Sequence, residues 1–190
     1  MIEKNSLKAL RGRFFSRKDM AKLGLAGNHI QELLNSGQIE RFSRGVYSLP
    51  NQDMNEESQF QAATLRIRGR SAICLLSALS VYNLTDVIPK KVWLLVDKQK
   101  RTIHTDLRLF RTRNPHWKTG IVQNHGYAIT SIERTLVEGL VHRRLLGTKT
   151  AIAAIKIAIT RKETTLSKLI DIAVKLKVEH RIFPYIESLA

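Results

Sequence analysis

A short run of polar side chains is suited to hydrogen bonding with the edges of nucleic-acid bases. Asn28, His29 and Gln31 begin a segment whose apolar residues recur at helical spacing on the opposite side. The amides of Asn and Gln pair bidentately with adenine in the major groove, and a helix N-terminus is the usual contact end. We predict that these three residues contact bases. The alternative is an ordinary solvated face of a helix.

Basic and hydroxyl side chains on both sides of that segment are suited to phosphate. Lys and Arg neutralise phosphate charge, and a serine hydroxyl donates a hydrogen bond to a phosphate oxygen. Exposed Lys and Arg occur on every protein surface, so each position taken singly also fits a solvated role. The predicted contacts are Arg17, Lys18, Lys22, Arg41, Ser43 and Arg44.

A second group of basic residues lies in the middle of the chain, around two predicted strands. It fits a second anion-binding surface and the solvated face of a sheet equally well. We expect Trp93 and Trp117, in the same region, to be packing residues rather than platforms for stacked bases. The members of the group are Lys98, Lys100, Arg101, Arg108, Arg111, Arg113 and Lys118.

Residues for catalysis or metal binding form no recognisable pattern. The six histidines lack paired zinc spacing, and the single cysteine, Cys74, lies in an apolar run that predicts a buried, inert thiol. If the chain were a metal-dependent nuclease, Asp97 and Asp106 on the middle strands would be the carboxylate pair to test as metal ligands. The acid and base in the run from Ser131 to Val137 predict an ion pair that holds a helix on the sheet. We therefore expect no enzyme activity, cofactor or bound metal.

The charge of the chain favours a polyanionic partner. The 190 residues include 32 Lys and Arg against 16 Asp and Glu, a net charge of +16. Nucleic acid is the leading candidate, and an anionic membrane surface or an acidic protein also fits. The first 54 residues hold nine of the basic and five of the acidic residues, so the remainder is the more basic part. No signal peptide or apolar run of about 20 residues is seen, and one cysteine forms no internal disulfide, so we expect a cytoplasmic protein.

The first part of the chain predicts a winged helix-turn-helix. A helix from Ser6 to Leu10 is followed by a second from Arg17 to Leu23, capped by Ser16 and stopped by Gly24. The turn 24–27 leads into a helix from Asn28 to Ser36, closed by Gly37. Two alternating segments, 38–42 and 46–49, flank a turn and predict a hairpin, the wing, with Arg41 and Arg44 at its tip.

The second part predicts a mixed α+β domain. A polar stretch around Pro50 reads as a linker, so we divide the chain into a DNA-binding domain, 1–52, and an α+β domain, 53–190. Pro184 is expected to end regular structure. The predicted helices are 57–68, 75–84, 131–141, 150–159 and 166–177, and the predicted strands are 92–96, 107–112, 121–123 and 127–129.

Two groups of motifs resemble those of AbiEi-type antitoxins and their transcriptional-regulator relatives. The first is Phe15-Ser16-Arg17-Lys18-Asp19, Gly24-Leu25, the run 33–41, and Arg44-Gly45-Val46-Tyr47-Ser48-Leu49-Pro50. The second is the run 78–86 with Ile88-Pro89 and Val92, the Arg-rich strand 107–113, and the run 130–138, which contains Glu-Arg-Thr-Leu. The likeness covers most of residues 12–142. Glu138 departs from it, because the family usually has Asp there.

The resemblance implies an antitoxin of an abortive-infection toxin–antitoxin pair, a phage-defence system. Such proteins bind repeats of double-stranded DNA in their own promoter through the winged helix and repress it. The second domain neutralises a nucleotidyltransferase-like toxin. Membrane and small-molecule substrates are not implied. A solitary transcriptional regulator without a toxin is the first alternative, and a nucleic-acid-processing enzyme the second.

Overall fold

The chain folds into helices and strands that are distributed over two compact units. The computed structural model describes residues 7–25, 27–52, 55–67 and 69–187, and these residues form a mixed α+β structure with nine helices and two sheets. The first unit comprises Met1–Gly69 with His125–Tyr127, and the second comprises Arg70–Asn124 with Ala128–Ala190. The α+β class predicted from the sequence is confirmed. No helix in the described ranges has both the length and the apolar character needed to cross a membrane.

The first unit contains three strands and three helices. Residues 7 and 8 are helical and lead into a turn, while Ser6, where this helix was predicted to begin, lies outside the described residues. The predicted second and third helices and the hairpin are present, and a short strand precedes them. The elements are β1 (Phe15–Ser16), α1 (Arg17–Lys22), α2 (Asn28–Asn35), β2 (Glu40–Ser43), β3 (Val46–Ser48) and α3 (Glu56–Arg66).

Local hydrogen bonds define the start of α1 and the end of α2. The Ser16 hydroxyl accepts from the Asp19 backbone N–H at 3.3 Å, and the Asp19 carboxylate accepts from the Ser16 backbone N–H at 2.9 Å. This reciprocal capping box satisfies two backbone donors that a helix start leaves unpaired. Helix α2 ends before Gly37, whose φ of +68° is a conformation that glycine adopts without strain. The predicted cap of α1 by Ser16 and the predicted end of α2 at Gly37 are both confirmed.

A small antiparallel sheet, ordered β1-β3-β2, separates two apolar clusters of the first unit. Tyr47 of β3 pairs with Phe15 of β1 and with Arg41 of β2, and Val46 pairs with Ser16 and Ser43. Alternate residues of a strand face opposite sides. The Tyr47 side carries the core of α1 and α2, whose buried members are Leu10, Phe15, Met20, Leu25, Ile30, Leu33, Ile39 and Tyr47. The Val46 side packs on Phe14 and on Ala62 of α3.

Helix α3 therefore belongs to the first unit, and the division of the chain falls at 69/70 rather than at the predicted 52/53. The Asn55 side chain caps the helix by accepting from the Ser58 backbone N–H at 2.8 Å. Farther along, the buried Gln61 accepts from the Phe14 backbone N–H at 3.0 Å. These contacts tie α3 to the strand that precedes α1. Asp53 and Met54 of the predicted linker, Ala26 of the predicted turn and Arg68 at the predicted helix end lie outside the described residues.

The second unit is built on a five-stranded mixed sheet ordered β6-β5-β4-β8-β7. Strand β4 runs antiparallel to β5 and parallel to β8, and β5 runs parallel to β6. All the predicted strands are present, and β4 is additional. The elements are β4 (Ser71–Ile73), α4 (Leu75–Val81), β5 (Val92–Asp97), β6 (Leu107–Thr112), β7 (Ile121–Asn124), β8 (Tyr127–Thr130), α5 (Ile132–Val141), α6 (Arg143–Leu146), α7 (Thr148–Thr160), α8 (Leu166–Lys175) and α9 (Glu179–Glu187).

Helix α5 is the centre of the helical core of this unit. Every residue from Arg134 to Val141 is buried, and α7, α8 and α9 pack around it. The Ser131 hydroxyl accepts from the Arg134 backbone N–H at 3.3 Å, which confirms the predicted cap. The buried residues that the four helices contribute to this cluster are Leu136, Val137, Leu140, Val141, Ala151, Ala154, Ile155, Ala158, Leu169, Ala173, Ile182 and Ile186.

The prediction that Pro184 ends regular structure is wrong, because Pro184 lies inside α9. A proline in this position removes one backbone hydrogen bond of the helix. The helix continues because Ile182 and Ile186, which lie on one face, are both buried in the helical core. Packing of that face outweighs the loss of the single backbone bond.

Candidate nucleic-acid interface

Helix α2 presents its polar side chains to solvent. Asn28, His29 and Gln31 are all exposed, whereas Ile30 and Leu33 are buried on the other side. No side chain caps the start of α2, because the residue before the helix is Gly27, and the Ile30 backbone N–H donates to the Gly27 carbonyl at 3.3 Å. The helix therefore presents amide side chains to solvent at this end.

Gln31 is held in place by its neighbour one turn along the helix. Its Nε2 donates to the Asn35 Oδ1 at 3.0 Å. The carbonyl oxygen and the second N–H of the Gln31 amide are left for a base edge. A bidentate contact with adenine needs one donor and one acceptor, and Gln31 supplies both while keeping this bond.

Helix α1 places three basic groups near α2. Lys18 and Lys22 are exposed and one turn apart, so they lie on the same face. Arg17 is exposed too, and its Nε donates to the hydroxyl of the buried Tyr47 at 3.2 Å. This bond fixes the start of α1 to strand β3 and orients the guanidinium, whose other N–H groups stay available.

The hairpin places one of its two arginines as predicted and the other differently. Arg44 lies in the turn, as expected. Arg41 lies within β2 and pairs with Tyr47, so its predicted place at the tip is wrong. Residues directly opposite in an antiparallel pair share a face. Arg41 is therefore the cross-strand neighbour of the tyrosine whose hydroxyl accepts from Arg17.

Strand β2 contains a bulge directly after Arg41, which the sequence did not reveal. The register changes between Arg41 and Ser43, where Phe42 is the extra residue. The Phe42 ring lies 4.7 Å from the Phe14 ring, centroid to centroid, yet 41% of the residue stays exposed. Ser43 is half-buried, and its enclosed Oγ has no hydrogen-bond partner within the described residues. Contact between this hydroxyl and a phosphate requires the hairpin to move.

The predicted second basic surface is divided between two faces of the sheet. The Arg108 guanidinium stacks on the Trp93 ring at 4.0 Å from its centroid, and the two residues are neighbours in the strand register. Arg111 pairs with Val96, on the opposite face, and its Nε donates to the Lys100 carbonyl at 2.8 Å. The exposed members of the group are Lys98, Arg101, Arg108, Arg111, Arg113 and Lys118, and Lys100 is half-buried.

The ion pair expected near Ser131 forms with a different acid. Arg134 is fully buried, and its Nε donates to the Glu138 carboxylate at 2.9 Å. One terminal nitrogen of Arg134 also donates to the carbonyls of Trp117 and Thr119, both at 2.6 Å. Glu133 instead accepts from the Thr164 hydroxyl. The pair spans one turn of α5 and attaches that helix to the segment before β7.

The carboxylate pair that a nuclease would require is separated. Asp97 ends β5 and pairs with Thr112, whereas Asp106 immediately precedes β6. Asp106 is six residues from Thr112 along the strand, so the two aspartates are about 20 Å apart in the strand direction. Asp97 forms an ion pair with Arg70 at 3.6 Å instead. Within the described ranges, no group of three or more His, Cys, Asp or Glu is arranged to hold a metal ion.

Cys74 and the two tryptophans lie in the interior of the second unit. The Cys74 thiol is free and buried, and burial raises its pKa well above the ordinary value. Such a thiol is a poor nucleophile. Trp93 and Trp117 pack in the same apolar cluster, as predicted.

Comparison of the chain with known family models finds no match, and a search of curated proteins also finds none.

Proposed function

We propose that the chain is a sequence-specific DNA-binding protein whose first unit is a winged helix-turn-helix. The observation that carries the proposal is the exposed polar face of α2, flanked in one unit by the basic groups of α1 and of the hairpin. In this proposal α2 enters the major groove, and Asn28, His29 and Gln31 contact bases. Arg17, Lys18, Lys22, Arg41 and Arg44 bind phosphate.

The order of elements supports this assignment. A capped helix, a glycine-containing turn and an amphipathic helix are followed directly by a two-stranded hairpin. The hydrogen bond from Arg17 to Tyr47 joins the helical part to the hairpin, so both are held as one body. A rigid arrangement of this kind lets phosphate contacts set the position of α2 on the duplex.

The antitoxin role is the second part of the proposal and rests on the resemblance of the motifs described above. The chain represses its own promoter through the first unit, and it neutralises a nucleotidyltransferase-like toxin through the second. A toxin encoded next to this chain is expected to arrest growth when expressed alone and not when expressed together with it. If no such neighbour exists, the protein is a solitary regulator.

The test of DNA recognition is a fluorescence-anisotropy titration with the DNA upstream of the gene and with a scrambled duplex, at two salt concentrations. The proposal requires a preference for the native DNA that persists at the higher salt. Equal, salt-sensitive binding to both duplexes would mean that the +16 net charge alone accounts for the affinity. That result would reject sequence-specific recognition.

Two double variants separate phosphate contact from base contact. Arg41→Ala with Arg44→Ala should weaken binding to both duplexes and reduce the slope of log affinity against log salt by about 1.8. Lys149→Ala with Lys156→Ala removes the same charge from exposed positions of α7 and is the matched control. An unchanged slope in the arginine variant would remove the hairpin from the proposal.

Asn28→Ala with Gln31→Ala should affect specificity more than affinity. Each good contact with a base contributes about 1–3 kcal/mol of discrimination, so the preference for the native duplex should fall at least tenfold. Binding to the scrambled duplex should change little. Equal loss on both duplexes would contradict a role in base recognition.

A further inference from the structure

The two most exposed large apolar side chains in the described ranges lie at one end of the five-stranded sheet. Ile103 is 93% exposed and Ile88 is 86% exposed, whereas the next such residue, Val174, is 53% exposed. Ile88 lies four residues before Val92, and Ile103 lies four residues before Leu107. Val92 and Leu107 are register partners at the start of the parallel strands β5 and β6. Because the two strands run in the same direction, the segments before them reach the sheet at the same end.

The backbone joins these two segments. The Val92 backbone N–H donates to the Asp106 carbonyl at 3.0 Å, directly before the strands begin. Four residues of extended chain span at most about 14 Å, and neighbouring strands are about 4.8 Å apart. Both isoleucines are therefore close to this end of the sheet, and Val87, which is 50% exposed, adjoins Ile88. We call Val87, Ile88 and Ile103 the apolar patch.

Local hydrogen bonds hold the chain on both sides of the patch. The Val87 backbone N–H donates to the Thr85 hydroxyl at 3.2 Å, and the His104 backbone N–H donates to the Thr102 hydroxyl at 3.1 Å. Segments that are already held in place lose less conformational entropy when a partner covers them. Single exposed apolar residues are common, but several at one end of a sheet mark an interaction surface.

The charges around the apolar patch balance one another. The charged residues of the two segments are Asp86, Lys90, Lys91 and Asp106, all of them exposed. The segments 86–91 and 102–106 therefore have a formal net charge of zero, in a chain whose net charge is +16. Nucleic acid, an anionic membrane or an acidic protein would be attracted to the basic parts of the surface rather than to this end. A second copy of the chain meets no net repulsion here.

The basic residues that follow β5 begin at the opposite end of the strands. The Lys100 carbonyl accepts from the Arg111 Nε at 2.8 Å, and Arg111 pairs with Val96, next to the last residue of β5. From there the chain returns along the strands to reach Thr102 and the start of β6. Lys98 and Lys100 therefore do not change the neutral character of the end that carries the apolar patch.

We propose that a second copy of this chain covers the apolar patch and forms a symmetrical dimer around a two-fold axis. In such a dimer both copies use the same surface, so the isoleucines of one copy pack on those of the other. The lysines of each copy face the aspartates of the other at the rim of the interface. Two short segments form a small interface, so the dimer is reversible and its population depends on concentration. The surface belongs to the second unit, and the proposal does not depend on the DNA-binding role of the first.

The test is sedimentation velocity of the full chain without DNA, at concentrations from about 1 to about 200 μM. The sedimentation coefficient should rise with concentration to that of a dimer, and the rise should persist in about 0.5 M salt because the contact is apolar. Ile88→Ser with Ile103→Ser changes side chains that are exposed in the monomer, so the variant should fold normally. Each substitution occurs twice in the dimer, so the dissociation constant should rise at least about a hundredfold. Val174→Ser, an exposed apolar residue of α8 outside the patch, is the control and should change neither.

Reversal of charge tests whether the partner is a second copy. Lys90→Glu with Lys91→Glu makes this end of both copies negative and should weaken the dimer about tenfold. Asp86→Lys makes this end positive. A mixture of the two variants should associate more tightly than either variant alone, because opposite charges then face each other. This rescue requires that the patch of one copy faces the patch of another.

Three results would overturn the proposal. The first is a chain that stays monomeric over the whole concentration range; binding of this monomer to phosphatidylserine vesicles through the two isoleucines would then assign the patch to a membrane. The second is a dimer that Ile88→Ser with Ile103→Ser leaves unchanged, since the interface would lie elsewhere. The third is the absence of rescue in the mixture. Arg41→Ala with Arg44→Ala should dimerise as the parent chain does, so failure of the DNA proposal and of this one can be told apart.

Discussion

Replacement of the buried Arg134 by methionine should destabilise the second unit more than any surface substitution. Arg134 is fully buried and donates to three acceptors, the Glu138 carboxylate and the carbonyls of Trp117 and Thr119. Methionine fills a similar volume without charge or donors. The change therefore leaves a buried carboxylate without its counter-charge and removes the donors of two carbonyls.

The expected loss is about 3–5 kcal/mol, the range found when one partner of a buried ion pair is removed. Burial already raises the pKa of the Glu138 carboxyl, and Arg134 partly offsets that rise. Without Arg134 the carboxyl can take up a proton and so limit the loss. Arg134→Met with Glu138→Met removes both charges, and we expect it to recover at least half of the loss, because apolar residues replace a buried pair at little cost.

Tryptophan fluorescence during urea unfolding is a suitable assay, because both tryptophans of the chain, Trp93 and Trp117, belong to the second unit. Fluorescence then follows this unit alone, even if the two units unfold separately. Arg134→Met with an unfolding free energy within about 1 kcal/mol of the parent would refute the reasoning. So would a double variant no more stable than the single one, because the loss would then come from packing rather than from an unpaired charge.

Three further predictions concern local features. Gly120→Ala should lower the free energy of unfolding by about 2–3 kcal/mol, because Gly120 has a φ of +64° and its added Cβ would lie 2.9 Å from the Arg134 Cβ. Gly147→Ala is the control, since Gly147 has a φ of +91° but no atom within 3.5 Å of the added Cβ, and it should cost only about 1 kcal/mol. Equal losses of stability in the two variants, measured by fluorescence, would contradict the clash. Asp19→Ala breaks the capping box and should destabilise the start of α1 by about 1 kcal/mol. The loss should appear as faster amide hydrogen exchange in α1, and unchanged exchange would contradict a stabilising role of the capping box. The pKa of His142 falls from an ordinary 6.5 to about 4 on folding, so the unfolded chain binds the proton more tightly than the folded chain does. The free energy of unfolding should therefore fall by about 1–2 kcal/mol between pH 6.5 and pH 4, after allowance for solvent screening of this half-buried ring. His142→Phe should flatten this pH dependence, and an equally steep dependence in the variant would refute the assignment.

The features that could be predicted are those that depend on residues close together in the sequence. Ser16 and Asp19 stand three residues apart and satisfy each other's backbone donors, so the start of α1 follows from the sequence alone. Gly37 similarly marks the end of α2 because its backbone takes a positive φ. The alternating pattern of β6 and the apolar run of β5 identify both strands without knowledge of their partners.

The features that were missed depend on distant partners. Strand β1 has only two residues and exists because Phe15 and Ser16 pair with β3, which follows 30 residues later. Pro184 stays helical because Ile182 and Ile186 bury their face against other helices. The boundary of the first unit was set too early because Gln61 bonds to Phe14, a contact that composition around Pro50 does not reveal. Tertiary packing outweighs local propensity in each case.

The residues proposed to contact DNA and the interior of the second unit differ in the same way. Asn28, His29 and Gln31 are close together in sequence, so they could be proposed from type and spacing, whereas the pairing of Arg41 with Tyr47 depends on a strand register that the sequence does not reveal. The cavity between the end of β6, α5 and the segment after α8 draws its lining from three separate segments, around positions 110–114, 138–142 and 176–181. Each residue type there has an ordinary structural explanation when it is taken alone. Only the assembled structure shows that Glu138 is buried beside this cavity, with its Oε1 accepting from Arg134 and its Oε2 enclosed without a hydrogen-bond partner among the described residues.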